Sequence, residues 1–151
     1  MITVVAIGKK HESWLVEGIE RYENRLNAPF NLNWVLLLNS SQKGAAASRD
    51  ESGDILNKLK PNDFVVLLDE RGKMYDSPAL SKALTAPLEQ SKNVVIIIGG
   101  AYGVGEEVRG RADIVWSLSP LVFPHQLIRL ILVEQLYRAQ AIHLGLPYHN
   151  E

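Results

Sequence analysis

The side chains best suited to chemistry gather toward the C-terminal end of the chain, between Ser117 and His149. The segment Ser117-Leu118-Ser119-Pro120-Leu121-Val122-Phe123 runs into Pro124-His125-Gln126 and a long apolar helix, and the chain closes on Leu146-Pro147-Tyr148-His149. His125, Arg138, Tyr148 and His149 are the polar side chains of this stretch that a site could use. Each also has a plainer reading. His125 can be a hydrogen-bonding residue at a helix start, and Arg71, Arg129 and Arg138 can be solvated or ion-paired charges, Arg138 with Glu134 four residues earlier. Pro124 is expected as the first residue of the helix, where its missing N–H costs nothing, and Gly145 followed by Pro147 as its stop. Tyr148 and His149 lie past that stop. Loose termini are poor in such side chains, so both are expected to dock.

These residues need a scaffold, and the rest of the chain reads as alternating strands and helices. Ile2 to Ile7 forms a first strand, and Trp14, Leu15, Ile19, Tyr22 and Leu26, at three- and four-residue spacings, predict an amphipathic helix over residues 12–27, ended by Pro29. Leu32 to Leu38 is a second strand, and the small and polar stretch from Asn39 to Ala47 a flexible loop before a helix containing Ile55, Leu56 and Leu59. Phe64 to Leu68 and Val94 to Ile98 are continuous apolar runs, as in strands buried on both faces of a parallel sheet. Ser77-Pro78 opens a helix reaching Gln90 with a disruption at Pro87, and Ile114 to Leu118 is a short last strand. Five strands alternating with five helices give an α/β fold, a mainly parallel sheet with helices on both faces. At 151 residues and 46% hydrophobic, one domain over residues 1–151 is expected.

In such folds ligands collect at the carboxyl ends of strands. Three loops qualify: Leu67 to Lys73, Ile98 to Gly105, and Ser117 to Phe123. Gly99 and Gly100 either let backbone approach a ligand or let the chain turn sharply, and the sequence does not separate the two. A dinucleotide fingerprint read from Gly103 fails at Val108, and a phosphate-binding loop fails because Glu106-Glu107 stand where Lys and Ser or Thr are needed. That acidic pair suits the first turn of a helix instead. The chain has no cysteine, which excludes disulfides and thiolate metal sites, and its four histidines lack a ligand spacing, so no metal is expected. A net charge of -1 argues against a broad non-specific nucleic-acid surface. Without a basic leader or an apolar run of spanning length, the chain is expected to be cytoplasmic, with no membrane partner. The last helix carries Leu127, Ile128, Leu130, Ile131, Leu132, Val133, Leu136 and Tyr137, an apolar surface wider than one core-facing stripe, which predicts a homodimer.

In their combined order these pieces resemble the RlmH family of ribosomal large-subunit RNA methyltransferases, of the SPOUT superfamily. The features that match run nearly end to end: Val5-Ala6-Ile7-Gly8-Lys9, Leu68-Asp69 with Gly72-Lys73, Ile98-Gly99-Gly100 with Gly103, Ser117-Leu118-Ser119, Phe123-Pro124-His125-Gln126 with Arg129, Glu134-Gln135-Leu136-Tyr137-Arg138-Ala139, and Pro147-Tyr148-His149. The resemblance implies a homodimer with a trefoil knot in its C-terminal half. It also implies transfer of a methyl group from S-adenosylmethionine to N3 of a pseudouridine in 23S ribosomal RNA of the assembled ribosome. By position, Leu68, Gly99, Leu118, Ser119, Pro120, Leu121, Val122 and Phe123 would bind the cofactor. Arg138, Tyr148 and His149 would face the RNA and the methyl acceptor, with His125 a further member. One position departs from the pattern, since Asn150 follows His149 where many relatives carry a basic residue. Two other classes share these features: a non-catalytic ribosome-associated RNA-binding module, and a small-molecule-binding α/β domain that uses the glycine loop without RNA.

Overall fold

The computed structural model describes residues 1–150. In chain order the elements are β1 (Ile2–Ile7), α1 (Ser13–Glu23), β2 (Leu32–Leu37), α2 (Gly44–Leu56), β3 (Phe64–Met74), α3 (Ser77–Glu89), β4 (Val94–Ile98), α4 (Glu106–Arg111), β5 (Ile114–Ser117) and α5 (His125–Leu144). All strand pairs are parallel, in the order β2-β1-β4-β3-β5. Alternation along the strands sends Val4, Ala6, Val66 and Ile96 to one face, against α3 and α5, and Val5, Ile7, Val65 and Ile97 to the other, against α2 and α4. Helix α1 joins α5 through Leu15, Ile19 and Val133. No helix among the described residues is long and apolar enough to cross a membrane.

Several boundaries differ from the expected ones. Helix α1 stops at Glu23, and Leu26 reaches the core through tighter turns in which the Arg25 and Leu26 N–H groups donate to the Tyr22 and Glu23 carbonyls. The expected flexible loop is short, because Ala45, Ala46 and Ala47 are good helix formers and belong to α2, with Ala47 buried. What remains is pinned: the Ser40 N–H donates to Glu51 Oε2 at 2.9 Å, and Ser40 Oγ donates to Asp50 Oδ2 at 2.8 Å. Pro124 is the residue before α5 rather than its first, with ψ 139, while Gly145 ends α5 in the left-handed region as expected.

The largest correction concerns Arg129. It is not solvated but fully buried, one of the largest side chains so enclosed, and it pairs with no carboxylate among the described residues. Its Nη2 donates to the Ile7 and Gly8 carbonyls, each at 3.0 Å, and its Nη1 to the Lys10 carbonyl at 3.0 Å. Burial lowers its pKa against the pull of Glu12, but a guanidinium keeps its charge in proteins. Gly8 has φ +121, and a Cβ there would fall 2.7 Å from Arg129 Nη2, so glycine is required on both counts. Gln126 completes the seam by accepting from the Glu12 N–H and donating to the Lys10 carbonyl. Arg129 Nη1 also lies 3.1 Å from His11 Nδ1. Arginine can only donate, so Nδ1 accepts and the imidazole proton sits on Nε2.

Arg129→Met should strip donors from three carbonyls and cost about 3 kcal/mol, read as a lower urea midpoint at unchanged m-value. Burial, then the charge of Arg129, lowers the pKa of His11. The unfolded chain therefore binds the extra proton first, and stability should fall as pH drops below about 6.5. His11→Gln, which can still accept from Arg129, should flatten that fall.

Candidate functional site

The strand order places β4, β3 and β5 side by side, so the loops leaving their carboxyl ends meet around one cleft of about 280 Å³. That is close to the lower end of the roughly 300–1,000 Å³ usual for ligand sites. Strand β3 contributes a bulge. Leu68 and Lys73 both pair with Trp116, which leaves residues 69–72 looped out between them. Gly72 permits this, because a Cβ there would fall 2.5 Å from the Val115 carbonyl oxygen. Asp69, Glu70 and Arg71 of the bulge form one rim of the cleft. Asp69 accepts from the Arg71 N–H at 2.8 Å and is gripped by Arg109 of α4. Burial pushes the Asp69 carboxyl up, but the hydrogen bonds from Arg71 and Arg109 outweigh it and hold the pKa below the ordinary value.

Strand β4 delivers Gly99, Gly100 and Gly103, which bring backbone to the cleft surface; Gly103 itself has φ +72. Strand β5 delivers Leu118, Ser119, Leu121, Val122 and Phe123. Ser117 Oγ donates to the Ser119 carbonyl and Ser119 Oγ accepts from the Leu121 N–H, each at 3.0 Å, so both hydroxyls shape the loop. Val122 is 77% exposed, an apolar side chain at the mouth. His125 and Ile128 close the cleft from α5. Burial lowers the pKa of His125, with the Glu70 carboxylate working against it and the Arg129 charge with it.

The expected cofactor residues Leu68, Gly99, Leu118, Ser119, Leu121, Val122 and Phe123 thus share one cleft, while Pro120 lies in the same segment without lining it. Arg138, Tyr148 and His149 are elsewhere. His149 lines a second cavity of about 630 Å³, which shares Trp116, Leu118 and Phe123 with the first. Arg138 Nε donates to Glu134 Oε1 at 2.8 Å, its Nη1 lies 3.1 Å from His149 Nδ1, and its guanidinium stacks 4.8 Å from the centre of the Tyr148 ring. Tyr148 meets Tyr137 edge-on at 4.7 Å, so the hook is docked. Burial, with Tyr22 beside it, raises the pKa of the Tyr148 phenol. Since arginine only donates, His149 Nδ1 accepts and its proton sits on Nε2. Trp116 and Ile128 also line the cleft, and nothing in their spacing distinguishes a cleft wall from core.

Comparison with known proteins agrees with this architecture. Residues 1–149 match the family described as "Predicted SPOUT methyltransferase". Proteins named "Ribosomal RNA large subunit methyltransferase H" are similar along their length. Those of Alkalilimnicola ehrlichii, Desulfitobacterium hafniense and Dichelobacter nodosus are 39%, 42% and 41% identical, with 99% of this chain and 98% of each relative covered. The chain therefore belongs to the SPOUT methyltransferase family and, within it, to the group of ribosomal RNA large subunit methyltransferase H proteins.

Gly72→Ala should drive a methyl group into the backbone of β5. The expected loss is about 1–3 kcal/mol, measured by thermal or urea unfolding. An unchanged stability would show that the bulge does not need glycine.

Proposed function

We propose that this chain is an S-adenosylmethionine-dependent methyltransferase acting on N3 of a pseudouridine in 23S ribosomal RNA of the assembled ribosome. In this reading one SPOUT domain spans residues 1–151, carries the family's trefoil knot, and works as a cytoplasmic homodimer. The observation that supports it is the meeting of three strand-end loops in one cleft with glycine backbone on one side and Leu118, Leu121, Val122 and Phe123 on the other. Such a cleft suits a cofactor with flat rings and a few polar anchors. When bound, the cosubstrate supplies an electrophilic methyl group on a sulfonium.

The chain's own residues would do the rest. Leu68, Gly99 and the segment from Leu118 to Phe123 would hold the donor and exclude water. His149 and Arg138 sit beside the cavity that shares a wall with the cleft, where an acceptor base would approach. Transfer of a methyl group is an in-line displacement, so alignment of the two reactants accounts for much of the acceleration. The acceptor N3–H must lose its proton, and Arg138 would balance the negative charge left on the ring. With Nδ1 engaged by Arg138, His149 offers Nε2–H as a donor to an acceptor carbonyl; a base role requires the Arg138 contact to open. Half-buried Leu127 and Ile131 leave an apolar strip along α5, which favours a second copy.

The test is single-turnover methylation of ribosomes that lack the modification, with labelled S-adenosylmethionine and mass spectrometry of the digested RNA. The expected product is one methylated pseudouridine in 23S RNA; donor binding without any transfer to RNA would overturn the reading. In the same assay His149→Ala should slow transfer about tenfold if it positions the base. A loss of about 100-fold or more would assign it general-base catalysis instead.

A further inference from the structure

Helix α2 contributes no lining residue to the cleft, yet one of its faces carries the glycine loop that does. Ser48, Glu51 and Ser52 stand at i, i+3 and i+4 and share that face. Ser48 Oγ donates to the Gly103 carbonyl at 3.3 Å, and Ser52 Oγ accepts from the Gly105 N–H at 2.9 Å. Between them Glu51 is 3% exposed, and its two oxygens are used differently. Oε2 accepts from the Ser40 N–H in the loop after β2. Oε1 is buried with no hydrogen-bond partner among the described residues. It abuts Gly100 so closely that a Cβ there would fall 2.5 Å from it.

An unmatched lone pair on a buried carboxylate is costly, and bulk alone at this position is supplied more cheaply by an apolar side chain. A carboxylate differs from every neutral side chain of its size in accepting on both oxygens. We propose that Glu51 is a positioning residue for the methyl-donor cleft: Oε2 holds the β2 loop while Oε1 accepts from an N–H of the loop after Gly100 when the donor is bound. The inference rests on the reading of the cleft as a donor site. It makes α2 the seat from which the β4 loop is set, and it joins two loops at the carboxyl edge of the sheet through one side chain.

The experiment is calorimetric titration of S-adenosylmethionine into the wild-type chain and into Glu51→Gln, Glu51→Ala, Gly100→Ala and the Glu51→Ala/Gly100→Ala pair, with thermal unfolding of each. Glutamine keeps the shape but accepts on one side only, so Glu51→Gln should weaken binding about fivefold while its unfolding temperature stays near the wild-type value. Methyl transfer at saturating donor should be nearly unchanged, which separates a KM effect from a kcat effect. Gly100→Ala tests the same contact from the loop side with α2 intact. It should weaken binding alone but add much less to Glu51→Ala, where only the 3.2 Å approach to Ile7 Cγ2 remains. A folded Glu51→Gln with wild-type affinity, or full additivity in the Gly100 pair, would overturn the proposal. Wild-type protein that fails to bind S-adenosylmethionine would instead overturn the reading of the cleft.

Discussion

One buried guanidinium fixes the frame on which both cavities depend. A parallel strand ends with carbonyls that have left the ladder and still need donors. Arg129 supplies them at the end of β1 and in the turn that follows, from the first turns of α5. Burying a cation without a carboxylate is expensive, and here three carbonyls and His11 Nδ1 offset it. The arrangement sets the rotation and height of α5 against the sheet. His125 and Ile128, which close the cleft, lie within one turn of Arg129, and Arg138 lies farther along the same rod. Gly8 is the counterpart of this device, since any side chain there would strike the guanidinium.

With α5 fixed, the cleft follows from strand order and backbone more than from polar side chains. Bringing β4 between β1 and β3, and β5 outside β3, makes the last three strand ends neighbours. Ser117 Oγ donates within the β5 loop and Ser119 Oγ accepts within it, which leaves the Ser119 O–H to face the cleft. The bulge of β3 adds a charged rim held by Asp69 and Arg109, and the β4 loop rests on α2. What a ligand meets is therefore glycine backbone, apolar walls and a few rim charges. Shape then selects the ligand, and the chain's near-neutral charge is consistent with that.

Much of this was legible in the sequence. The apolar runs Phe64 to Leu68 and Val94 to Ile98 and the short strand from Ile114 are each followed by turn residues, and that was enough to name the three loops that meet. Gly145 announced the end of α5, and its left-handed φ bears that out. What stayed hidden depends on partners distant in the chain. Arg129 looks like any helix charge until the Ile7 carbonyl, 122 residues away, is seen to need it. Gly72 looks like a turn glycine, although its necessity comes from Val115 on another strand. The alanines after Gly44 look like loop because they are small, and only the burial of Ala47 against the rest of the fold marks the segment as helix. Likewise no spacing could tell that His149 would face the second cavity, with its Nδ1 against Arg138.

In the proposed function one ligand, S-adenosylmethionine, would be held by the three loops after β3, β4 and β5 together. Hydrogen exchange followed by mass spectrometry, with and without that ligand, tests it most directly, because it reads each loop separately. Slower exchange is expected in residues 67–72, 98–104 and 117–125 at once, with little change around β2 and α3. Protection confined to one loop, or centred on α3 and the hook at Tyr148 and His149, would contradict it.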